Sequence, residues 1–206
     1  RFKSVDANTR RWANTPALFQ ADRQPDTDYL VIPKVSSERR PFIPLGFMSP
    51  HYITNPSILV VPNATLYHFG VLQATMHMAW TRSVCGRMKS DYQYSNTIVF
   101  NNFPWPEPSD KQQSAIETAA QGVLDARSKF PTSTLADLYD PLTMPPELVK
   151  AHQTLDRAVD AAYGKTGFKT EAERVAYLFE RYQQLIAPLM ETKKVATRKK
   201  VLSKGD

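Results

Sequence analysis

Apolar positions along the chain follow two regimes that meet near residue 106. Up to that point they come in short runs broken by proline and polar pairs: 29–35 (Y-L-V-I-P-K-V), 41–48, and 58–61, which Pro62 and Asn63 stop. Runs of this length and composition predict strands, and Pro33 inside the first argues for an edge position. Residues 97–100 (T-I-V-F) read as one more buried β segment. A single helical stretch interrupts: Leu66, Phe69, Leu72, Met76 and Trp80 recur every three to four residues, which predicts one helix over 66–85. Beyond residue 108 the pattern is helical and carries its own caps. Ser109 with Gln112 forms a capping box, opening a helix to about Lys129 with Ile116, Ala119, Val123 and Ala126 on one face. Pro145-Pro146 starts a second, striped by Leu148, Leu155 and Val159 and closed at Gly164. Thr170 with Glu173 caps a third, whose stripe runs from Val175 through Leu178, Tyr182 and Ile186 to Leu189. The predicted fold class is α+β. A strand-rich mixed domain spans 1–106, and a small antiparallel helical bundle with a basic tail spans 107–206.

Residues 1–27 read as loop, with Pro16 and Pro25 as breakers and Trp12, Phe19, Arg10, Arg11 and Arg23 among them. The chain opens on Arg1 with no Met, which predicts a piece of a longer protein. No apolar run approaches the ~20 residues needed to cross a bilayer. The single Cys85 excludes an intrachain disulfide and a cysteine-based zinc site, as suits a reducing cytoplasm. Of the net charge of +6, residues 1–100 carry +5, with 11 Lys and Arg against 6 Asp and Glu. A basic, aromatic-rich first half is the electrostatic footprint of a nucleic-acid binder.

Chemistry of recognition concentrates in residues 84–106 (V-C-G-R-M-K-S-D-Y-Q-Y-S-N-T-I-V-F-N-N-F-P-W-P). Arg87, Lys89, Asp91 and Gln93 alternate, so on an extended chain they project to one face. Together they supply both donors and acceptors for base edges. A polar edge strand followed by a proline-stiffened turn accounts for the same composition. No catalytic motif is visible: no dinucleotide or phosphate-binding glycine loop, no nucleophile elbow and no zinc-protease helix. His68, His77 and the neighbouring methionines lack a converging carboxylate or cysteine, so they read as structural. Asp137 with Asp140 and Asp156 with Asp160 read as helix-surface pairs, the second an ordinary solvated i,i+4 pattern.

The run 86–106 resembles the target-recognition region of the MmeI-like single-chain Type II restriction–modification enzymes. Supporting segments are 30–47, V-V-P-N-A-T-L-Y-H-F-G-V-L (60–72) and M-H-M-A-W-T-R (76–82). L-D-R-A-V-D-A-A-Y-G (155–164) and E-R-V-A-Y-L-F-E-R-Y (173–182) resemble the helical segment that follows it. The resemblance implies sequence-specific reading of double-stranded DNA. It also implies a parent with an S-adenosylmethionine-dependent adenine-N6 methyltransferase domain upstream in the same chain, in some members fused to an endonuclease. This fragment itself is then expected to hold no cofactor, no metal and no catalytic residue. The resemblance puts Lys89, Asp91, Gln93 and Ser57 at base edges, with Lys89 and Asp91 sharing one G·C pair. Arg10, Arg11, Arg39, Arg40, Arg82 and Arg87 are the candidates for phosphate contact. Two other readings remain open: a non-specific single-strand binder stacking bases on Tyr92, Tyr94, Phe100 and Trp105, and a protein-interaction module.

Overall fold

The computed structural model describes residues 1–15, 17, 24–165 and 167–202, with side chains to residue 190 apart from Leu189. The sequence readings that rest on Pro16, Phe19 and Arg23 lie outside the described residues, as do those that rest on the side chains of Leu189 and of the basic tail. After α1 (Ala7–Arg11), capped by the Asp6 carboxylate on the amides of Asn8 and Thr9, the chain builds two small antiparallel sheets. In the first, β1 (Tyr29–Pro33) lies between β3 (Gly46–Met48) and β4 (Ile58–Val61). In the second, β6 (Asp91–Gln93) lies between β2 (Val35–Ser36) and β5 (Gly86–Met88). Strands β1 and β2 are one extended segment that leaves the first sheet and enters the second at Lys34. Its amide donates to Ser57 O at 2.9 Å, and its carbonyl accepts from Tyr94 N at 2.7 Å.

Three sequence expectations change. Strand β1 is central, not an edge. Pro33 is tolerated because β3 pairs only with Tyr29 to Val31, leaving β1 a neighbour on one side where the proline falls. The helix expected over 66–85 is two, α2 (Leu66–Leu72) and α3 (Thr75–Val84), parted at Gln73 and Ala74. Gln73 is fully buried; its side chain donates to Ile43 O and accepts from Leu45 N. Residues 97–100 are not a strand. Asn96–Phe100 form one π-helical turn, with Ser95 Oγ capping Ile98 N and Asn102 Nδ2 donating to the carbonyls of Thr97 and Ile98. Only Val99 in it is buried, so capping by Ser95 and Asn102 outweighs the β preference of T-I-V-F.

Strands occupy the first half and helices the second: α4 (Asp110–Ser128), α5 (Leu135–Leu138), α6 (Pro146–Ala162) and α7 (Glu171–Leu202). The Ser109–Gln112 capping box forms, Pro146 opens α6, and Gly164 follows it at φ +72°. Helices α4 and α6 pack antiparallel, the Gln112 side chain at the start of α4 donating to Ala161 O near the end of α6. Helix α7 packs mainly on α3 of the first half. One hydrophobic core runs through both halves. At Gly70 of α2, a Cβ would meet Ile116 Cγ2 of α4 at 2.7 Å, so the missing side chain is what lets the two helices approach.

Polar groups stitch the same seam. Arg127 of α4 donates to Leu45 O at 2.7 Å, to Gln73 Oε1 at 3.1 Å and to the Tyr139 hydroxyl. That hydroxyl lies 2.7 Å from His152 Nε2. Because Arg127 occupies the lone pairs of Tyr139, its single proton points to His152, whose Nε2 must be the unprotonated nitrogen. Burial, with Arg127 nearby, lowers the His152 pKa to about 3. Asp156 and Asp160 are not a solvated pair. Asp156 caps α3 across the seam, accepting from Thr75 N and Oγ1 at 2.7 Å each, and Asp160 pairs with Arg174 of α7 at 2.6 Å in a nearly closed site. Desolvation raises both carboxyls. Helix surface was the wrong reading because α3 and α7 cover that face of α6.

Candidate nucleic-acid interface

The recognition stretch folds as a hairpin. Gly86 pairs with Gln93, Arg87 with Tyr92 and Met88 with Asp91, which leaves Lys89 and Ser90 as a two-residue loop. Such loops require a positive φ, and Lys89 adopts +57°. This is costly for a residue with a Cβ, so a lysine here is held by its surroundings. The four residues expected on one face of a single strand are therefore redistributed. Asp91 and Gln93 keep a common face, Lys89 stands at the tip, and Arg87 falls on the opposite face with Tyr92. The turn reverses the chain between Arg87 and Asp91, which simple alternation could not anticipate.

The hairpin is braced from behind. The guanidinium of Arg87 lies over the Tyr92 ring at 4.3 Å and donates to Ser90 O across the loop. Tyr92 and Tyr94 are buried, and the Tyr94 hydroxyl meets His77 Nε2 at 2.9 Å. Burial lowers the His77 pKa to about 3 and raises that of Tyr94. Phe100 and Trp105 pack edge to face against each other and against the core. None of the four aromatics is a free stacking platform, which counts against the single-strand reading.

In front, Lys89, Ser90 and Gln93 are exposed. The polar turn 37–40 lies alongside, with Glu38 N donating to Asp91 Oδ1 at 3.4 Å, so Arg39 and Arg40 flank the hairpin. Ser57 is exposed in the turn that opens β4, its amide and hydroxyl both on Asn55 Oδ1. Lys34 joins it to the hairpin, touching Ser57 through its amide and Tyr94, next to Gln93, through its carbonyl. Lys34, Gln93, Ser95, Asn96, Thr97 and Ile98 line a groove of about 420 Å³. The sequence reading passed over Lys34 and the Asn96–Thr97 rim, the first hidden in a strand pattern and the second mistaken for one. Arg10 and Arg11 belong to α1, where Arg10 donates to the carbonyls of Ser4 and Val5 and Arg11 covers Trp12. Arg82 of α3 turns inward to Tyr92, Pro41 and Glu171. Among the described residues, no group of three His, Cys, Asp or Glu could hold a metal, and no helix is long and apolar enough to cross a membrane.

Residues 1–107 match the family described as MmeI, target recognition domain, and residues 108–190 match MmeI, C-terminal domain. A solved structure of the Type IIL restriction–modification enzyme MmeI in complex with DNA is 51% identical, with a TM-score of 0.83 over 91% of this chain and 25% of that one. DNA methyltransferase A of Bacillus subtilis (strain 168) is 41% identical over 186 residues, 90% of this chain and 21% of the relative. The chain thus spans a quarter or less of these relatives. With both matches contiguous and the hairpin lying inside the first, the chain belongs to the MmeI family and comprises its target recognition and C-terminal domains.

Proposed function

We propose that this chain reads a specific sequence of double-stranded DNA on behalf of a restriction–modification enzyme that methylates adenine at N6. The observation that carries the reading is the braced hairpin. It presents Lys89 and Gln93 outward with Asp91 half-buried between them, and Ser57 is connected to them through Lys34, in a chain half of which matches a target recognition domain. A β-ribbon fits the major groove, where each base pair shows a distinct set of donors and acceptors, and here β2 borders β6 only at Tyr92 and Gln93, short of the hairpin tip. Lys89 donates to guanine N7 and O6 while Asp91 accepts from the N4 amino group of the paired cytosine. Gln93 and Ser57 face a neighbouring pair. Arg10, Arg11, Arg39 and Arg40 hold phosphates and fix the register, while Arg87 braces the hairpin from behind.

Methyl transfer belongs to the rest of the parent chain, which would bind S-adenosylmethionine and take the target adenine out of the stack. No S-adenosylmethionine loop or Asn-Pro-Pro-aromatic motif occurs in this sequence, and Asn101-Asn102-Phe103-Pro104 has the wrong order, so no step of that chemistry is assigned to these residues. The reading implies a cytoplasmic protein.

Fluorescence anisotropy with duplex and single-stranded probes over a salt series tests it. Binding should favour the duplex and fall steeply with salt as counterions are released. Equal affinity for both probes, or no salt dependence, contradicts it.

A further inference from the structure

Arg82 sits at the end of α3, under the hairpin, and its guanidinium fork serves three separate segments. Nε donates to the Tyr92 hydroxyl at 3.3 Å, Nη2 to Pro41 O at 3.2 Å, and Nη1 pairs with Glu171, the first residue of α7, at 2.5 Å. Tyr92 is the central residue of β6. Its hydroxyl passes the connection on, donating to Glu38 O at 3.3 Å in the turn that carries Arg39, while its ring supports Arg87. The start of α7 is therefore wired through one arginine to the reading hairpin, at Tyr92, and to the segment beside it, at Pro41. The Arg82–Glu171 pair is partly open to solvent, the side chains being 26% and 43% exposed, so its contribution to overall stability is small. What the fork provides is orientation: three planar N–H directions that an ammonium cannot reproduce.

We propose that Arg82 and Glu171 are positioning residues, a clamp by which the C-terminal domain sets the hairpin against the base pair, and that Arg82 is not a phosphate ligand. This rests on the hairpin being the base reader.

The 206-residue chain and its Arg82→Lys, Arg82→Met and Glu171→Gln variants should each be taken through selection from a randomised duplex pool. A salt titration of the selected duplex against a scrambled one follows, with hydrogen–deuterium exchange of the DNA-free protein. A clamp predicts that both Arg82 variants lose preference for the selected duplex by about five- to tenfold and Glu171→Gln by about two- to threefold. All should keep the wild-type slope of log affinity against log salt. Exchange at the hairpin amides, 86–93, should rise in all three before any DNA is added. A phosphate ligand gives a different result. Arg82→Met then flattens the slope by about one unit, and Arg82→Lys restores both slope and preference, which overturns the proposal. So does a Glu171→Gln variant, which carries no cation to lose, with unchanged preference and unchanged exchange. A wild type that enriches no sequence overturns the base-reading function itself, and the clamp with it.

Discussion

The seam between the two halves and the hairpin at the front use the same residue types in opposite ways. At the seam, Arg127 and Gln73 are buried with their groups matched: Arg127 spreads its charge over three neutral acceptors, Leu45 O, Gln73 Oε1 and the Tyr139 hydroxyl, while Gln73 donates to Ile43 O. At the hairpin, Lys89, Ser90 and Gln93 face water, Lys89 from a backbone held at φ +57°. Polar groups that are satisfied internally specify the fold; polar groups that are held still but left open are available to a partner. Substitutions should therefore act on stability at the seam and on recognition at the hairpin.

The largest effect is expected from Arg127→Met, which strips the donors from three buried acceptors. It should lower unfolding free energy by about 3–5 kcal/mol, the cost of leaving buried neutral acceptors without their donors. Urea unfolding followed by far-UV circular dichroism and by tryptophan fluorescence should move together, because Trp80 and α4 share one core. Transitions that separate would divide the molecule at the seam.

Acid comes next. His77 and His152 have folded pKa values near 3 against an ordinary 6.5, so only the unfolded chain takes up their protons between these limits. Their contribution is complete above pH 6.5 and is lost as pH falls toward 3, at about 1.4 kcal/mol per unit for each group. Stability should drop by about 4 kcal/mol from pH 7 to pH 5. Asp156 and Asp160, with raised carboxyls, act in the opposite sense from 3.8 upward, and the histidine fall is read between pH 7 and pH 5. A flat profile there would mean that the imidazoles are hydrated. Gly70→Ala should cost about 1–3 kcal/mol, since Ile116 must give way. Lys89→Gly should do the reverse, relaxing the loop by up to about 1 kcal/mol while weakening discrimination on DNA. If it lowers thermal stability instead, the hairpin is part of the fold's support and the contrast fails.

Much of this was legible in the sequence, and the failures share a cause. Capping residues announced α4, α6 and the start of α7 because Ser109, Pro146 and Thr170 act on their own next turn. Local signals could not show what a distant segment contributes. The break at Gln73 depends on Arg127 and the cap from Asp156; the burial of Asp160 depends on Arg174; the inward turn of Arg82 depends on Glu171. At the site, residue types led to the proposal of Lys89, Asp91 and Gln93 as base readers, yet alternation mistook a hairpin for a strand. A two-residue loop without glycine or asparagine carries a weak turn signal. Lys34 and Ser57 come together with Gln93 only because the chain changes sheets at residue 34.

The central claim is that the hairpin residues read a base pair. Its most direct test exchanges their charges, Lys89→Glu with Asp91→Arg, and compares the duplex sequences that the wild type and the double variant select from a randomised pool at fixed salt. The account predicts that one G·C pair in the preferred site reverses to C·G, favoured by about 1–3 kcal/mol, while the remaining positions stay as they were. Enrichment of the wild-type site in its original orientation would show that Lys89 and Asp91 do not read the base.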